Sequence, residues 1–402
     1  RFVRPGGLVR RSEITNATLH NVAVGNDVYI RNIADYIANY DIADGAYIEN
    51  VDSIVGTLDS TFGIGTEVSV LNETGGREVP VYERLSAQTA YLIAMYRNRR
   101  EMVERLVTLI KVHAASLYGK RGQIGRNTLV INAGTITNVN VGDFALIKGA
   151  TRLADGTISA SESDPVVVGR DVIAEGFVFA SGSCVDDGAV IHHCFIGQAT
   201  KLTHLFSAHD SLFFANCACE NGEAAAIFGG PYTVTMHKSS LLIAGMFSFL
   251  NAGSGSNQSN HMYKLGPIHQ GVVERGSKTT SDSYILWPAK IGAFSLVMGR
   301  HVNHPDTSRL PFSYLIENRN ESFLVPGINL RSVGTIRDAQ KWPKRDKRRD
   351  PDRLDCINFN LLSPYTAGKM FAGIKLLDEL ERTAGLTAER FAFQTMTIDA
   401  RA

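Results

Sequence analysis

The sequence has few cysteines, no long apolar run and no excess of charge of one sign. Its five cysteines among 402 residues are too sparse for a disulfide framework, which indicates a reducing compartment and a cytoplasmic location. No stretch reaches the ~18 apolar residues that cross a bilayer. Lysine plus arginine number 41 against 40 aspartate plus glutamate, so the composition favours neither nucleic acid nor a membrane surface as a partner.

A short pattern recurs along the chain: isoleucine or valine, then glycine, two free positions, and a small or β-branched residue. Its seven instances begin at Val24, Ile64, Ile124, Val141, Val168, Ile196 and Ile291. Composition alone would produce roughly one or two matches, so the excess indicates an internal repeat.

Apolar residues also recur at intervals of six. One series is Val24, Ile30, Tyr36, Ile42, Ile48 and Ile54, and another is Ile173, Phe179, Val185 and Ile191. A helix places apolar residues every three or four positions and a half-buried strand every second one, so neither explains this spacing. The period predicts a coil of short flat faces, three to a turn, with glycine, asparagine or aspartate at corners that need positive φ. The competing interpretation is a glycine-rich β-sandwich.

These segments resemble the hexapeptide-repeat transferase superfamily, whose members form left-handed parallel β-helices, usually as trimers. The resemblance covers residues 20–70 and 124–202 and returns near 284–300. Residues 213–314 are similar to a large bacterial subfamily of that superfamily with no established activity. The resemblance implies a mainly β fold, a left-handed parallel β-helix, in a homo-oligomer for which a trimer is favoured.

The same patterns divide the chain into four parts. Residues 1–84 are predicted as a first β-helix segment, 85–119 as an inserted amphipathic helix, and 120–335 as the main β-helix with an irregular functional insertion at 203–287. Residues 336–402 are predicted as a basic loop and a helical extension. Because the chain opens at Arg1 in repeat-like sequence, we expect it to be a piece of a longer protein.

Local sequence signals define two predicted helices and one basic segment. The inserted helix is predicted over Ser86 to Leu117, with a charged face typical of solvent exposure. A second helix is predicted from Ser363-Pro364, a cap followed by proline, to Gly385. Lysines and arginines crowd residues 341–353, which favours an exposed loop over a phosphate site.

Histidine is concentrated between residues 192 and 269, where seven of the eleven histidines lie. In the acyltransferases that the sequence resembles, a coil histidine accepts the proton of an attacking amine or hydroxyl, a role that suits imidazole near neutral pH. His209, beside Asp210, is the first candidate and His261 the second. Because neighbouring residues of a strand point to opposite faces, we expect Asp210 to orient a different group. The simpler interpretation of each histidine is structural.

Polar side chains in the same range are the candidates for substrate binding. They are Asn257, Asn260, Lys264, His269, Arg275 and Lys278. Amides suit a sugar, and the cations suit a phosphate or carboxylate. Together with the resemblance, these residues predict a transferase that acts on a sugar or nucleotide-sugar, with an acyl-CoA or a nucleotide-sugar among its substrates.

Two other functions stay open. A non-catalytic carbohydrate-binding or assembly scaffold would use the flat faces of the coil as contact surfaces. A metal-dependent hydratase or hydrolase, similar to the hexapeptide-repeat carbonic anhydrases, would hold a metal among histidines, for example His301 and His304 with Asp306. The spacing matches no such set, so no metal ligand is assigned. Cys217 and Cys219 are predicted as buried thiols.

Overall fold

The computed structural model describes residues 2–3, 5–259, 270–385 and 389–399. It divides into two compact units. Unit 1 comprises Arg1–Val68, Arg77–Asn216 and Lys347–Asp355, and unit 2 comprises Ser69–Gly76, Cys217–Asp346 and Cys356–Ala402. Each unit contains parallel strands stacked as successive turns of a coil. This confirms the predicted mainly β, parallel β-helical architecture.

Several turns of unit 1 are 17 or 18 residues long. Ile173 pairs with Val190, 17 positions on, and Tyr29 pairs with Tyr47, 18 positions on. A turn is therefore about three hexapeptides long, as predicted. Up to Asn216 the strands are β1 (Phe2–Val3), β2 (Val9–Arg10), β3 (Glu13–Thr15), β4 (Leu19–Val24), β5 (Tyr29–Ile33), β6 (Ile37–Ile42), β7 (Tyr47–Val55), β8 (Glu67–Ser69), β9 (Glu78–Pro80), β10 (Gly122–Ile124), β11 (Leu129–Val141), β12 (Leu146–Lys148), β13 (Arg152–Ile158), β14 (Val167–Val168), β15 (Ile173–Phe179), β16 (Cys184–Val185), β17 (Val190–Ile196), β18 (Lys201–Thr203) and β19 (Ser207–Phe213).

Most of the six-residue apolar series points into the coil. Its buried members are Ile30, Ile42, Ile48, Ile54, Phe179, Val185 and Ile191. Val24, Tyr36 and Ile173 do not reach the core. The residues that follow Tyr36 and Ile173 are fully buried instead, namely Ile37 and Ala174. The reason is the 17-residue turn, which shifts the register by one: Ile37 pairs with Ile54 and Ala174 with Ile191.

One corner of unit 1 carries a ladder of asparagine side chains. Asn16, Asn32, Asn50 and Asn132 all have positive φ, between 52° and 55°. Between successive members an amide nitrogen donates to an amide oxygen, at 3.2, 3.1 and 3.0 Å. Asparagine tolerates the left-handed conformation, and the stacked amides stabilise it by hydrogen bonds from turn to turn.

The inserted segment forms two helices, α1 (Ala87–Met95) and α2 (Arg100–Ala115), instead of the single predicted helix. The break is a turn in which the Arg99 N–H donates to the Tyr96 carbonyl at 2.8 Å. Asn98 lies in this turn, and asparagine is a weak helix former. The exposed face of α2 carries the ion pairs Arg100–Glu104 and Arg105–Glu101, at 3.6 and 3.9 Å, as predicted for a solvated face.

Most of residues 347–355 are exposed, but Arg348 and Asp355 are buried. Arg348 is 5% exposed and donates to the Asp355 carbonyl oxygen at 2.8 Å. Arg349 lies 3.3 Å from the carboxylate of Asp164, which is itself buried. Arg349 holds the segment against the coil of unit 1 through Asp164.

Asp355 is a buried carboxylate that joins separate parts of unit 1. It accepts the backbone N–H groups of Ala87 and Ala215, at 2.7 and 2.8 Å. Burial raises the pKa of Asp355, while these hydrogen bonds and the charge of Arg348 oppose the rise. The segment thus fixes the start of α1 and the end of the unit 1 coil.

Unit 2 also contains stacked parallel strands. Ala218 pairs with Val234 and Glu223 with Leu241, 16 and 18 positions on. Parallel strands therefore occupy much of residues 203–287, where we expected an irregular insertion. From Cys217 on, the strands are β20 (Ala218–Glu220), β21 (Glu223–Ala225), β22 (Phe228–Gly229), β23 (Val234–Thr235), β24 (Leu241–Ile243), β25 (Gly245–Phe247), β26 (Asn257–Ser259), β27 (Gly271–Val273), β28 (Lys278–Thr279), β29 (Tyr284–Leu286), β30 (Lys290–Ile291), β31 (Leu296–Met298), β32 (Arg300–His301), β33 (Tyr314–Asn318), β34 (Glu321–Val325), β35 (Arg390–Phe393) and β36 (Met396–Asp399).

The later part of unit 2 carries two helices, α3 (Val333–Lys341) and α4 (Pro364–Ala384). The predicted boundaries of α4 are confirmed. Ser363 and Thr366 form a capping box at its start, and Gly385, with φ 87°, ends it. Of the helices that the structure describes, none combines the length and the apolar character needed to span a bilayer.

Candidate functional site

A column of charged and imidazole side chains runs along one outer face of unit 1. Glu175 of β15, His192 of β17 and His209 of β19 occupy equivalent positions on three successive turns. His192 is partly buried and His209 is exposed. The coil thus stacks two of the histidines that the sequence singles out.

The next column is a corner formed by Gly176, His193 and Asp210, all in the left-handed conformation with φ of 62°, 48° and 47°. The Asp210 carboxylate lies between two imidazoles: Oδ1 is 3.7 Å from His193 Nδ1 and Oδ2 is 3.8 Å from His209 Nδ1. We call His193, His209 and Asp210 the His–Asp corner. Asp210 therefore lies beside a different group, His193, as expected, and also near His209, because the corner residue leaves the strand conformation.

Gly176 makes room for the imidazole of the following turn. A Cβ on Gly176 would lie 2.5 Å from His193 Cδ2, which is closer than packed atoms approach. The His193 ring therefore rests on the glycine backbone, and the ring position depends on that residue having no side chain.

The His–Asp corner is exposed enough to meet a ligand. The side chains of His193 and His209 are 53% and 48% accessible. The Asp210 carboxylate lies close enough to both rings to interact with a positive charge on either one. The arrangement can therefore accept a proton from a group that approaches the face of the coil.

Two of the predicted substrate-binding cations have contacts within unit 2. The Arg275 guanidinium lies 4.8 Å from the centre of the Phe249 ring and donates to the Asn358 carbonyl at 2.6 Å. Burial lowers the pKa of Arg275. Lys278 forms an ion pair with Asp338 of α3. These contacts account for both residues structurally, and their binding of substrate stays a prediction.

Asn257 lies in β26 of unit 2, where it pairs with Tyr284 of β29. The other candidates lie outside the described residues: they are Asn260, His261, Lys264 and His269. His261 as the alternative base therefore also stays a prediction.

The predicted metal sets receive no geometric support from the part of the chain that the structure describes, where no three histidine, cysteine, aspartate or glutamate side chains are grouped to hold one metal ion. His301 is buried, with Nδ1 2.7 Å from the Ser322 hydroxyl and Nε2 3.1 Å from the Met298 carbonyl. Burial lowers the pKa of His301. Cys217 and Cys219 are buried thiols, as predicted.

The sequence did not indicate a second feature of unit 1, a cleft of about 230 Å³ beside α2. Within it, His113 Nε2 of α2 lies 2.8 Å from Glu83 Oε1. The lining residues are Ile64, Glu83, His113, Leu117, Gln123, Asn140, Val141, Gly142, Thr157, Ile158 and Ser159. The position of His113 in the sequence was the one signal that could have indicated this cleft. His113 lies between Ile110 and Ala114, the buried residues of α2, so it belongs to the edge of the packed face.

The stacked parallel turns place the chain among the β-solenoid proteins. The chain belongs to the family described as a domain of unknown function, DUF4954, whose model matches residues 1–381. It is also similar to a protein of Treponema pallidum (strain Nichols) named only as an uncharacterized protein, with 26% identity over 401 residues, covering 93% of this chain and 54% of the relative. The chain thus spans about half the length of that relative. Kinship with the hexapeptide-repeat transferases stays a prediction.

Proposed function

We propose that the chain is a transferase-type β-helix enzyme that moves an acyl or related group onto a sugar or nucleotide-sugar, with the His–Asp corner as its general base. One observation carries the proposal: the Asp210 carboxylate lies within 4 Å of two exposed imidazoles on a rigid coil. A base must be accessible and must be held in position, and this corner meets both conditions.

In the proposed step, an acceptor hydroxyl or amine attacks the carbonyl carbon of a thioester. His209 takes the proton of the attacking group, and the Asp210 carboxylate stabilises the imidazolium that forms. The new ester or amide bond forms as the carbon–sulfur bond breaks, and the leaving thiolate receives the proton back. His193 contacts the other oxygen of Asp210 and orients that carboxylate.

The test uses acetyl-CoA as donor with glucosamine, N-acetylglucosamine and UDP-N-acetylglucosamine as acceptors. Release of free thiol and the mass of the product report turnover. We expect His209→Gln and Asp210→Asn to lower kcat by roughly 10²–10⁴-fold, the usual contribution of a positioned base. His20→Gln is the matched control, because His20 is an exposed histidine on another strand of unit 1.

Full turnover by His209→Gln would remove the His–Asp corner from the chemistry. Absence of turnover with every acceptor would contradict the acyl-transfer proposal and favour the non-catalytic scaffold.

A further inference from the structure

We propose that the cleft beside α2 binds a neutral, hydroxyl-rich molecule about the size of one sugar ring, with Glu83 and His113 as its polar anchor. The cleft lies in unit 1 and does not include the His–Asp corner. Binding there is measured without turnover, so this proposal stands or falls separately from the transfer chemistry.

Glu83 fixes the hydrogen-bonding role of the His113 ring. An ionised carboxylate only accepts hydrogen bonds, so Nε2 donates to Oε1 across the 2.8 Å contact. In the neutral ring the other nitrogen, Nδ1, is then an acceptor. It makes no hydrogen bond to the residues that the structure describes. Both residues line the cleft, so the neutral ring carries an acceptor whose role Glu83 fixes.

The second oxygen of Glu83 also lacks a donor. Oε2 is buried and has no hydrogen-bond partner among the described residues. Leaving a buried acceptor unpaired is unfavourable. A ligand with several hydroxyl groups would satisfy both acceptors.

Neutral polar groups and apolar side chains line the same cleft. Asn140 Oδ1 accepts the backbone N–H of Gln123 at 3.0 Å. The amide nitrogen of Asn140 is therefore the atom that can donate to a ligand. Ser159 adds a hydroxyl, and Ile64 and Leu117 add apolar surface. A sugar ring has hydroxyl groups at its edge and C–H groups on its faces, so it matches both kinds of lining.

The charge and the volume of the cleft restrict the chemical class of its ligand. Among the described residues that line the cleft there is no lysine or arginine, so a phosphate would lack a cationic partner. The volume of about 230 Å³ is below the roughly 300–1,000 Å³ of pockets that enclose drug-sized ligands. Both facts favour a single uncharged ring over a nucleotide-sugar.

The α2 wall of the cleft is held in place. Lys111 pairs with Glu67 of β8 at 2.8 Å, and the Gly119 N–H donates to the Leu58 carbonyl at 2.7 Å. A wall that is already ordered reduces the entropy lost on binding.

Saturation-transfer NMR on the whole chain tests the proposal, with glucose, N-acetylglucosamine and myo-inositol as neutral probes. Putrescine is the cationic probe and inorganic phosphate the anionic one. We expect a signal from at least one neutral probe and at least a tenfold weaker Kd in His113→Phe and in Ser159→Leu. The second variant fills the cleft without touching the ion pair, and the Ser159 main-chain hydrogen bond to Phe179 is unaffected.

Glu101→Gln, an exposed change on α2, is the control and should bind as the wild type does. Unfolding temperature and circular dichroism establish that each variant is folded. The proposal is overturned if no neutral probe binds, if Ser159→Leu binds with unchanged Kd, or if only putrescine or phosphate gives a signal.

Discussion

At the scale of single residues, the corners decide which side chains meet. In a regular strand Asp210 and His209 would face opposite sides. The positive φ of Asp210 brings its carboxylate beside His209 and His193 instead. The asparagines of the ladder adopt the same left-handed conformation. Hydrogen bonds between turns offset its steric cost.

The asparagine ladder gives a stability prediction. Asn32 accepts from Asn16 and donates to Asn50, at 3.2 and 3.1 Å. Asn32→Ala removes both bonds and leaves a side chain that disfavours positive φ, so we expect a loss of about 2–4 kcal/mol in the free energy of unfolding. Urea-induced unfolding measures this change.

Two further variants separate the effect of the lost hydrogen bonds from that of the backbone strain. Asn32→Gly removes the hydrogen bonds but relieves the backbone, so it should cost less than Asn32→Ala. Asn98→Ala, in the exposed turn between α1 and α2, should be nearly neutral. Equal losses for the alanine and glycine variants of Asn32 would show that the left-handed conformation contributes nothing.

At the scale of elements, a buried carboxylate in residues 347–355 makes the stability of unit 1 depend on pH. Because burial raises the pKa of Asp355 above 3.8, the folded protein binds more protons than the unfolded chain between 3.8 and the raised value. The contribution of this group to the free energy of unfolding therefore falls as the pH rises through that window.

Asp355→Asn should remove that contribution. We expect the wild type to lose stability relative to the variant as the pH rises from 3.8 through the raised pKa, as measured by urea unfolding at a series of pH values. Glu101→Gln serves as the control. A stability difference that stays constant across the window would contradict the buried-carboxylate explanation.

The elements also show what the sequence could predict. Six-residue spacing and the capping signals of α4 act locally, so the coil and the bounds of that helix could be predicted from the chain alone. The burial of Asp355 could not, because its partners Ala87 and Ala215 are far away in the sequence. The Glu83–His113 pair was missed for the same reason: 30 residues separate its members.

At the scale of the whole molecule, we propose a trimer. The His–Asp corner lies on an open face of unit 1, and a neighbouring subunit would supply a wall that confines the substrate. Native mass spectrometry and light scattering should both give three chains per particle. A particle of one chain at micromolar concentration would contradict this prediction.

Unit 1 is completed by a segment that is synthesised late, so we expect its folding on the ribosome to be completed late as well. Residues 347–355 begin 131 positions after Asn216, so at ~5–20 residues per second they emerge on the order of 10 s later. Until then Gln198, which later bonds to the Asp352 carbonyl and the Leu354 N–H at 2.9 Å, stays unpaired with that segment. We expect the nascent coil of unit 1 to lack these contacts, and to be more accessible to chaperones and proteases, for a period set by translation speed.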